Sequence, residues 1–353
     1  NRRTLNEATA GNIVTLAGVS NGRVADTICS PEVTEPLHTP PLDPSTISIL
    51  MSVNDSIYAG NKEVSGGSKL TSEFIKDRLM KEAESNIAIQ VKVPEKSDDA
   101  AARDAMEVHG RGEMQLGILI ENMRREGFEM SISPPKALLK KDENGKLLEP
   151  IEEVTVLTTE EYVGVVIEAL VARKGDMIDS TINNEGQNVI KFLVPSRGMV
   201  GLRSELMKNC SGNAVVNTIF DSFQPHKGNL GQVRKGVLIS SSDGVSTEYA
   251  LSALEPRGQL FIGAGEKVYT GMIVGEHNRA NDLDVNVCKG KKLTNVRASG
   301  TDESTKLSPP RIFQLEDCIG YVEPDELIEV TPVGVRMRKA ELNPSNRKRR
   351  KTK

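Results

Sequence analysis

The residue types best suited to chemistry in this chain are cations and amides gathered between Arg279 and Ser304. Arg279, Lys289, Lys291, Lys292 and Arg297 stand among Asn281, Asn286, Thr294, Asn295 and Ser299, and no acid lies between Val287 and Gly300. Guanidinium and ammonium groups bind phosphate oxygens, while amides and hydroxyls add hydrogen bonds to sugar and backbone, so the mixture fits RNA. No sustained apolar period runs through the stretch, which predicts a loop and neither a core helix nor a half-buried strand. A run of this length inside a domain is either functional or a solvated, charge-carrying linker, and spacing alone leaves both open.

Other candidate motifs are weaker. Pro195-Ser196-Arg197-Gly198-Met199-Val200-Gly201 reads as a strand-to-helix turn. Its amides with Arg197 suit an RNA phosphate, but the glycines fit close packing of helix on sheet better. His109-Gly110-Arg111-Gly112-Glu113 is a second such turn, and again a tight turn outweighs phosphate binding. A nucleotide-phosphate loop needs G-x-x-x-x-G-K-[ST], a string that does not occur. His38, His109, His226 and His277 show no triad spacing, and the paired acids Asp98-Asp99 and Glu152-Glu153 read as solvated. Cys29, Cys210, Cys288 and Cys318 are scattered without metal or disulfide spacing, which fits a reducing compartment.

The elements that must carry the loop follow from composition and periodicity. A chain of 353 residues is long enough for two to four domains. With no Trp and only 3% aromatics, its cores are aliphatic and no base-stacking platform is expected. The net charge is −4, yet Arg336 to Lys353 holds nine basic residues and one acid, a local balance of +8 that leaves −12 on the rest. This asymmetry predicts a polyanion-seeking tail on an acidic body, or else a solubilising terminus. No run reaches membrane-span length and no signal-peptide pattern is present.

Residues 1–44 give two strand-like runs around a Ser20-Asn21-Gly22 turn, read as the end of a β-barrel. Because the sequence starts with Asn1 inside an apolar-patterned segment, a fragment of something longer is expected. From 45 to 146 the pattern is a strand (Ile47 to Val53), a helix with Leu70, Phe74, Ile75, Leu79 and Ala83 on one face, strands at Ile87 to Val93 and around Met106, a helix from Glu113 to Glu126, and a strand from Phe128 to Ser133. That βαββαβ order is the ferredoxin-like unit. It recurs over 147–228, with a second helix from Met199 to Asn209. From 229 to 353 short strands and helices flank the basic loop 279–304. The fold class is therefore α+β and multidomain: a barrel remnant, two ferredoxin-like modules and a mixed α/β C-terminal domain.

Several strings together resemble the TypA/BipA family of translational GTPases. RANDLDVN and KGKKLTNVRASGTDE are similar to that family's C-terminal loop, and ALEPRGQLFIGAGEKVYTGMIVGEH to the segment leading into it. VHGRGEMQLGILIENMRREGFEM and VPSRGMVGLRSELM resemble helices of its third and fifth domains, and AGNIVTLAGV with VADTIC the end of its barrel. Elongation factor G and LepA share the two modules but not this loop.

The resemblance implies docking at the elongation-factor site of the ribosome, with roles in stress adaptation and large-subunit assembly. Its loop reaches toward the peptidyl-transferase centre and touches the acceptor end of A-site tRNA. Carried over, the RNA-contact residues are Lys289, Lys291, Lys292, Asn295, Arg297 and Ser299, with Arg279 and Arg197 as further candidates. The implied partners are rRNA, ribosomal proteins and tRNA, with no membrane and a monomeric chain, in a bacterial cytoplasm or an organelle of bacterial descent. GTP and magnesium belong to a G domain whose motifs are absent from this sequence, so no catalytic residue, cofactor or metal site is expected here. The basic run Arg347 to Lys351 departs from the family pattern and carries no family role. The alternatives are a LepA-like factor, a nucleotide-binding enzyme using His109 to Glu113, and a non-ribosomal scaffold.

Overall fold

Alternating apolar residues Ile47, Ile49 and Met51 form one face of β1 (Ile47–Val53), and burying that face sets the first core. The computed structural model describes residues 4–19, 22, 26–39, 43–93, 105–231, 234–290 and 307–351. After β1 come α1 (Ser72–Ser85), β2 (Gln90–Lys92), β3 (Met106–Gly110), α2 (Glu113–Arg125) and β4 (Met130–Ile132). The Thr71 hydroxyl accepts the Phe74 N–H and starts α1. Gly127, at φ 89°, turns the chain out of α2 in the left-handed region that suits glycine.

The four strands pair antiparallel in the order β4-β1-β3-β2. Ile75 and Leu79 of α1, with Leu116, Leu119, Ile120 and Met123 of α2, pack on Ile49, Met51, Val108, Met130 and Ile132. Each such side chain contributes roughly 1.5–3 kcal/mol on burial. The apolar face of α1 is narrower than the periodicity predicts, because Leu70 precedes the helix and Phe74 is exposed.

β5 (Lys136–Ala137) pairs with β1, and β6 (Lys140–Lys141) pairs with β7 (Leu147–Thr158), so this connection spans two sheets. There follow α3 (Val163–Ala172), β8 (Asp176–Ile182), β9 (Asn188–Pro195), α4 (Ser196–Met199), α5 (Leu202–Asn209) and β10 (Ala214–Pro225). Their strands repeat the first pattern, in the order β10-β7-β9-β8. The helix expected over 199–209 is broken, since Gly201 at φ 71° separates α4 from α5.

The last part begins with β11 (Val237–Ser240), β12 (Gly244–Val245), α6 (Glu248–Leu254), β13 (Gly258–Leu260), β14 (Lys267–Val268), β15 (Ile273–His277) and β16 (Leu283–Val285). A third sheet runs β13-β15-β11-β16, with β16 parallel to β11. Val237 and Ile239 of β11 enter the first core while Leu238 enters a third, which is why this strand is an unbroken apolar run. Then come α7 (Leu315–Tyr321), β17 (Glu326–Val330), β18 (Val335–Lys339) and α8 (Pro344–Lys351). β17 pairs with β4, and β18 with β17, so the end of the chain extends the sheet begun at Ile47. No helix among the described residues is long and apolar enough to cross a membrane.

Four expectations are corrected. The described residues of 1–44 contain no strand, and Ile13, Leu16 and Val19 are exposed. Two strands with no further partners bury too little apolar surface to hold together; residues 20 and 21 of the expected turn lie outside the described residues. Second, β16 falls inside the stretch expected to be a loop, and Val285 and Val287 are buried. Asp284 and Asn286 alternate with them, a period of two too short to stand out from its polar surroundings. Third, Arg336, Arg338 and Lys339 belong to the interior and not to a solvated tail. Fourth, Glu152 is buried and its carboxyl is pushed up by burial; Asp98 and Asp99 lie outside the described residues.

Candidate nucleic-acid interface

The basic segment leaves the third sheet from a braced strand. The Gly236 N–H donates to the Arg279 carbonyl at 2.9 Å, and Val237 N–H to Asp282 Oδ1 at 3.1 Å. His277 Nδ1 lies 2.6 Å from the Asn281 carbonyl. Beyond β16, Ser241 N–H donates to the Val285 carbonyl at 2.8 Å, Thr247 N–H to that of Val287 at 3.0 Å, and Thr247 Oγ1 to that of Lys289 at 2.7 Å. The side-chain oxygen of Asn286 accepts the Cys288 N–H at 2.9 Å and the Ser242 hydroxyl at 3.1 Å, so this amide works as a turn brace. Arg279 and Lys289 present exposed side chains at the two ends of the braced stretch.

The return end is held as firmly. Leu307 packs against the third core, the Ser308 N–H donates to Glu255 Oε1 at 2.6 Å, and the Arg311 N–H donates to the Leu260 carbonyl at 2.8 Å. The Arg311 guanidinium stacks 4.3 Å from the Phe313 ring, within an edge-on cluster of Phe261, Phe313 and Tyr321. Lys291, Lys292, Asn295, Arg297 and Ser299 lie outside the described residues, between these two fixed ends.

A charge cluster around the buried Lys339 ammonium holds the departing strand. Lys339 Nζ lies 2.8 Å from Glu326 Oε1 and 3.0 Å from both Asp282 Oδ2 and Asp325 Oδ2. Glu326 is fully buried and also receives Arg234 Nη2 at 2.6 Å. Burial alone would lower the Lys339 pKa, but the three carboxylates outweigh it and hold the ammonium above its ordinary value. Asp282 thus ties the root of the basic segment to β17 and β18. Beside it, fully buried Glu329 accepts Ser56 Oγ at 2.7 Å, Tyr269 Oη at 2.8 Å and Arg336 Nη2 at 3.0 Å. Burial would raise its pKa; Arg336, Ser56 and Asn54 outweigh that and keep the carboxyl below its ordinary value.

Arg197 is not brought to this surface. Its guanidinium binds the fully buried Glu149 at 2.6 and 3.2 Å and reaches the Gly228 carbonyl, which makes it an internal clamp between α4 and the chain after β10. The two glycine-containing turns meet each other: Glu113 Oε2 accepts the Gly201 N–H at 2.8 Å, and burial pushes the Glu113 carboxyl up. A Cβ on Gly201 would fall 2.7 Å from the Gly320 carbonyl oxygen, and one on Gly110 would fall 2.9 Å from Leu116 Cδ2. These glycines serve close packing. The buried carboxylates that pair with Arg336 and Lys339 were missed by sequence reasoning; the hairpin that sets Glu329 opposite Arg336 and Glu326 opposite Lys339 was the available signal.

Comparison with known proteins gives two family matches. Residues 146–234 match the elongation factor G C-terminus, and residues 235–344 match the TypA/BipA C-terminal domain. The "large ribosomal subunit assembly factor BipA" of Salmonella typhimurium is 42% identical over 345 residues, covering 98% of this chain and 55% of that protein. The Bacillus subtilis protein of the same name is 40% identical over 349 residues, covering 99% of this chain and 55% of its own length. The chain spans about half the length of the relatives it matches.

Proposed function

Because the chain belongs to the TypA/BipA family, matching the C-terminal portion of its relatives, we propose that it is the ribosome-docking part of such a factor. In this reading 45–146 and 147–228 are ferredoxin-like spacers, and the terminal part offers a cationic loop to rRNA and the acceptor end of A-site tRNA. The relatives are named for assembly of the large ribosomal subunit, which fits the same address. GTP hydrolysis by the whole protein would then decide when docking occurs, and the residues here would decide where. The work is done in bacterial cytoplasm or an organelle of bacterial descent, by one copy of the chain.

The observation that carries this reading is the anchoring of both ends of the 291–306 segment, by Thr247 and Lys339 on one side and Glu255, Leu260 and Phe313 on the other. A linker needs no such bracing. A contact segment does, because fixing its ends lowers the ordering cost on binding. Phosphate neutralisation makes binding salt-dependent. The variant Lys291→Ala, Lys292→Ala, Arg297→Ala should co-sediment less with ribosomes and show a flatter salt slope; unchanged binding would count decisively against the loop assignment.

A further inference from the structure

The run that the family resemblance left without a role, Arg347 to Lys351, lies in α8, and α8 is fastened to the strand that feeds the basic loop. Arg347 Nη2 binds Asp284 Oδ1 of β16 at 2.5 Å. The same guanidinium, through Nη1, donates to the Glu341 and Leu342 carbonyls at 3.0 and 2.7 Å. Leu342 packs into the third core, where it closes over Gly271, and Asn343 Oδ1 accepts the Ser345 N–H to begin the helix. These anchors hold a segment, PSNRKRRK, whose one apolar side chain is Pro344.

A helix of eight residues is too short to persist in water on propensity alone. A solubilising tail gains nothing from being braced in this way. From Asp284 to Lys289 is five residues, so Arg347 sits within about 17 Å of the loop's exit along an extended strand. Lys348 and Arg349 are exposed on the helix. Positive charge from two separate parts of the chain thus converges on one edge of the third sheet, while the body carries the negative excess.

We propose that α8 is a second RNA-contacting element, which grips the phosphate backbone next to the site reached by the basic loop; this rests on the docking reading above. The ligand is a ribose-phosphate backbone and not a lipid surface, because α8 has no apolar face to enter a bilayer. The contact is assigned to phosphates, because Lys348 and Arg349 are exposed on a helix with no aromatic ring to stack a base. Recognition by charge alone predicts that Lys and Arg are interchangeable there.

The test uses the full chain and purified large ribosomal subunits across a salt titration. Lys348→Gln with Arg349→Gln, which leaves the Arg347 anchor intact, should weaken binding on the order of tenfold and flatten the salt slope by about one to two. Lys348→Arg with Arg349→Lys should bind as the parent does. If the glutamine pair binds like the parent while the 291/292/297 variant is weakened, the α8 proposal is overturned and the docking reading stands. If the glutamine pair is weakened and the loop variant is not, α8 is a contact and the loop assignment falls. If neither changes, both fail. Binding to phosphatidylserine vesicles as tight as to the subunits would overturn the choice of RNA.

Discussion

Lys339→Met tests how far the interior charge cluster governs the basic segment. Methionine keeps the length and packing of the lysine stem but removes the ammonium. Asp325 is half exposed and returns to water at little cost, so its pair contributes least. Asp282 is mostly buried, and Glu326 is completely so, although Glu326 retains Arg234. Losing charge-assisted hydrogen bonds to these two costs about 3 kcal/mol in total at neutral pH. The sign with pH follows from the raised ammonium: its contribution is complete below the ordinary value of 10.5 and fades as pH rises through the folded value. The gap between parent and variant should therefore be constant from pH 6 to 9 and narrow above 10.5. Hydrogen exchange of the Leu283–Val285 and Glu326–Val330 amides, with urea titrations at each pH, measures both. A deficit under about 1 kcal/mol at pH 7, or no narrowing in alkali, would refute the reasoning.

Three further outcomes follow from the same geometry. Arg336→Met leaves Glu329 buried without its cation and should cost about 3–5 kcal/mol at pH 7. Because the parent carboxyl sits below its ordinary 4.5 and the variant's would rise above it, the deficit should shrink as pH falls from 7 toward 4.5, read by urea unfolding. Gly201→Ala forces a Cβ into left-handed backbone 2.7 Å from the Gly320 carbonyl, and should lower the melting temperature by a loss of at least about 2 kcal/mol. Gly164→Ala, in α3 with no atom within 4 Å of the added methyl, should instead raise it slightly, by about 0.5 kcal/mol.

Much of the architecture was legible because its signals are local. The apolar alternation at Ile47, Ile49 and Met51 and the 3.6-residue spacing from Leu116 to Met123 fix element types within a few residues, and each is stabilised by its own core. What could not be read was pairing at long range. Nothing near Glu326 says that β17 lies against β4, and nothing near Arg338 says that its guanidinium reaches Asp55, 283 residues back. Arg197 shows the same limit, since a cation at a helix start looks identical whether its partner is a phosphate or Glu149. The loop root was misjudged for a different reason: β16 is only three residues long, and it pairs parallel with β11, Leu238 beside Leu283. Arg279 and Lys289, two of the expected RNA contacts, have exposed side chains.

The closure of the first sheet by β17 and β18 has a consequence for how the chain is made. Ile132 of β4 pairs with Ile328, so the first unit exposes an unpaired strand edge until nearly two hundred further residues have been synthesised. At ordinary elongation speeds that wait lasts roughly ten to forty seconds. Throughout it, a hydrogen-bonding edge backed by Met130 and Ile132 is open to other nascent chains. Slow or stalled synthesis downstream of β4 would lengthen that exposure, and the yield of soluble protein should therefore depend on translation speed through residues 133–325 more than on the stability of the finished fold.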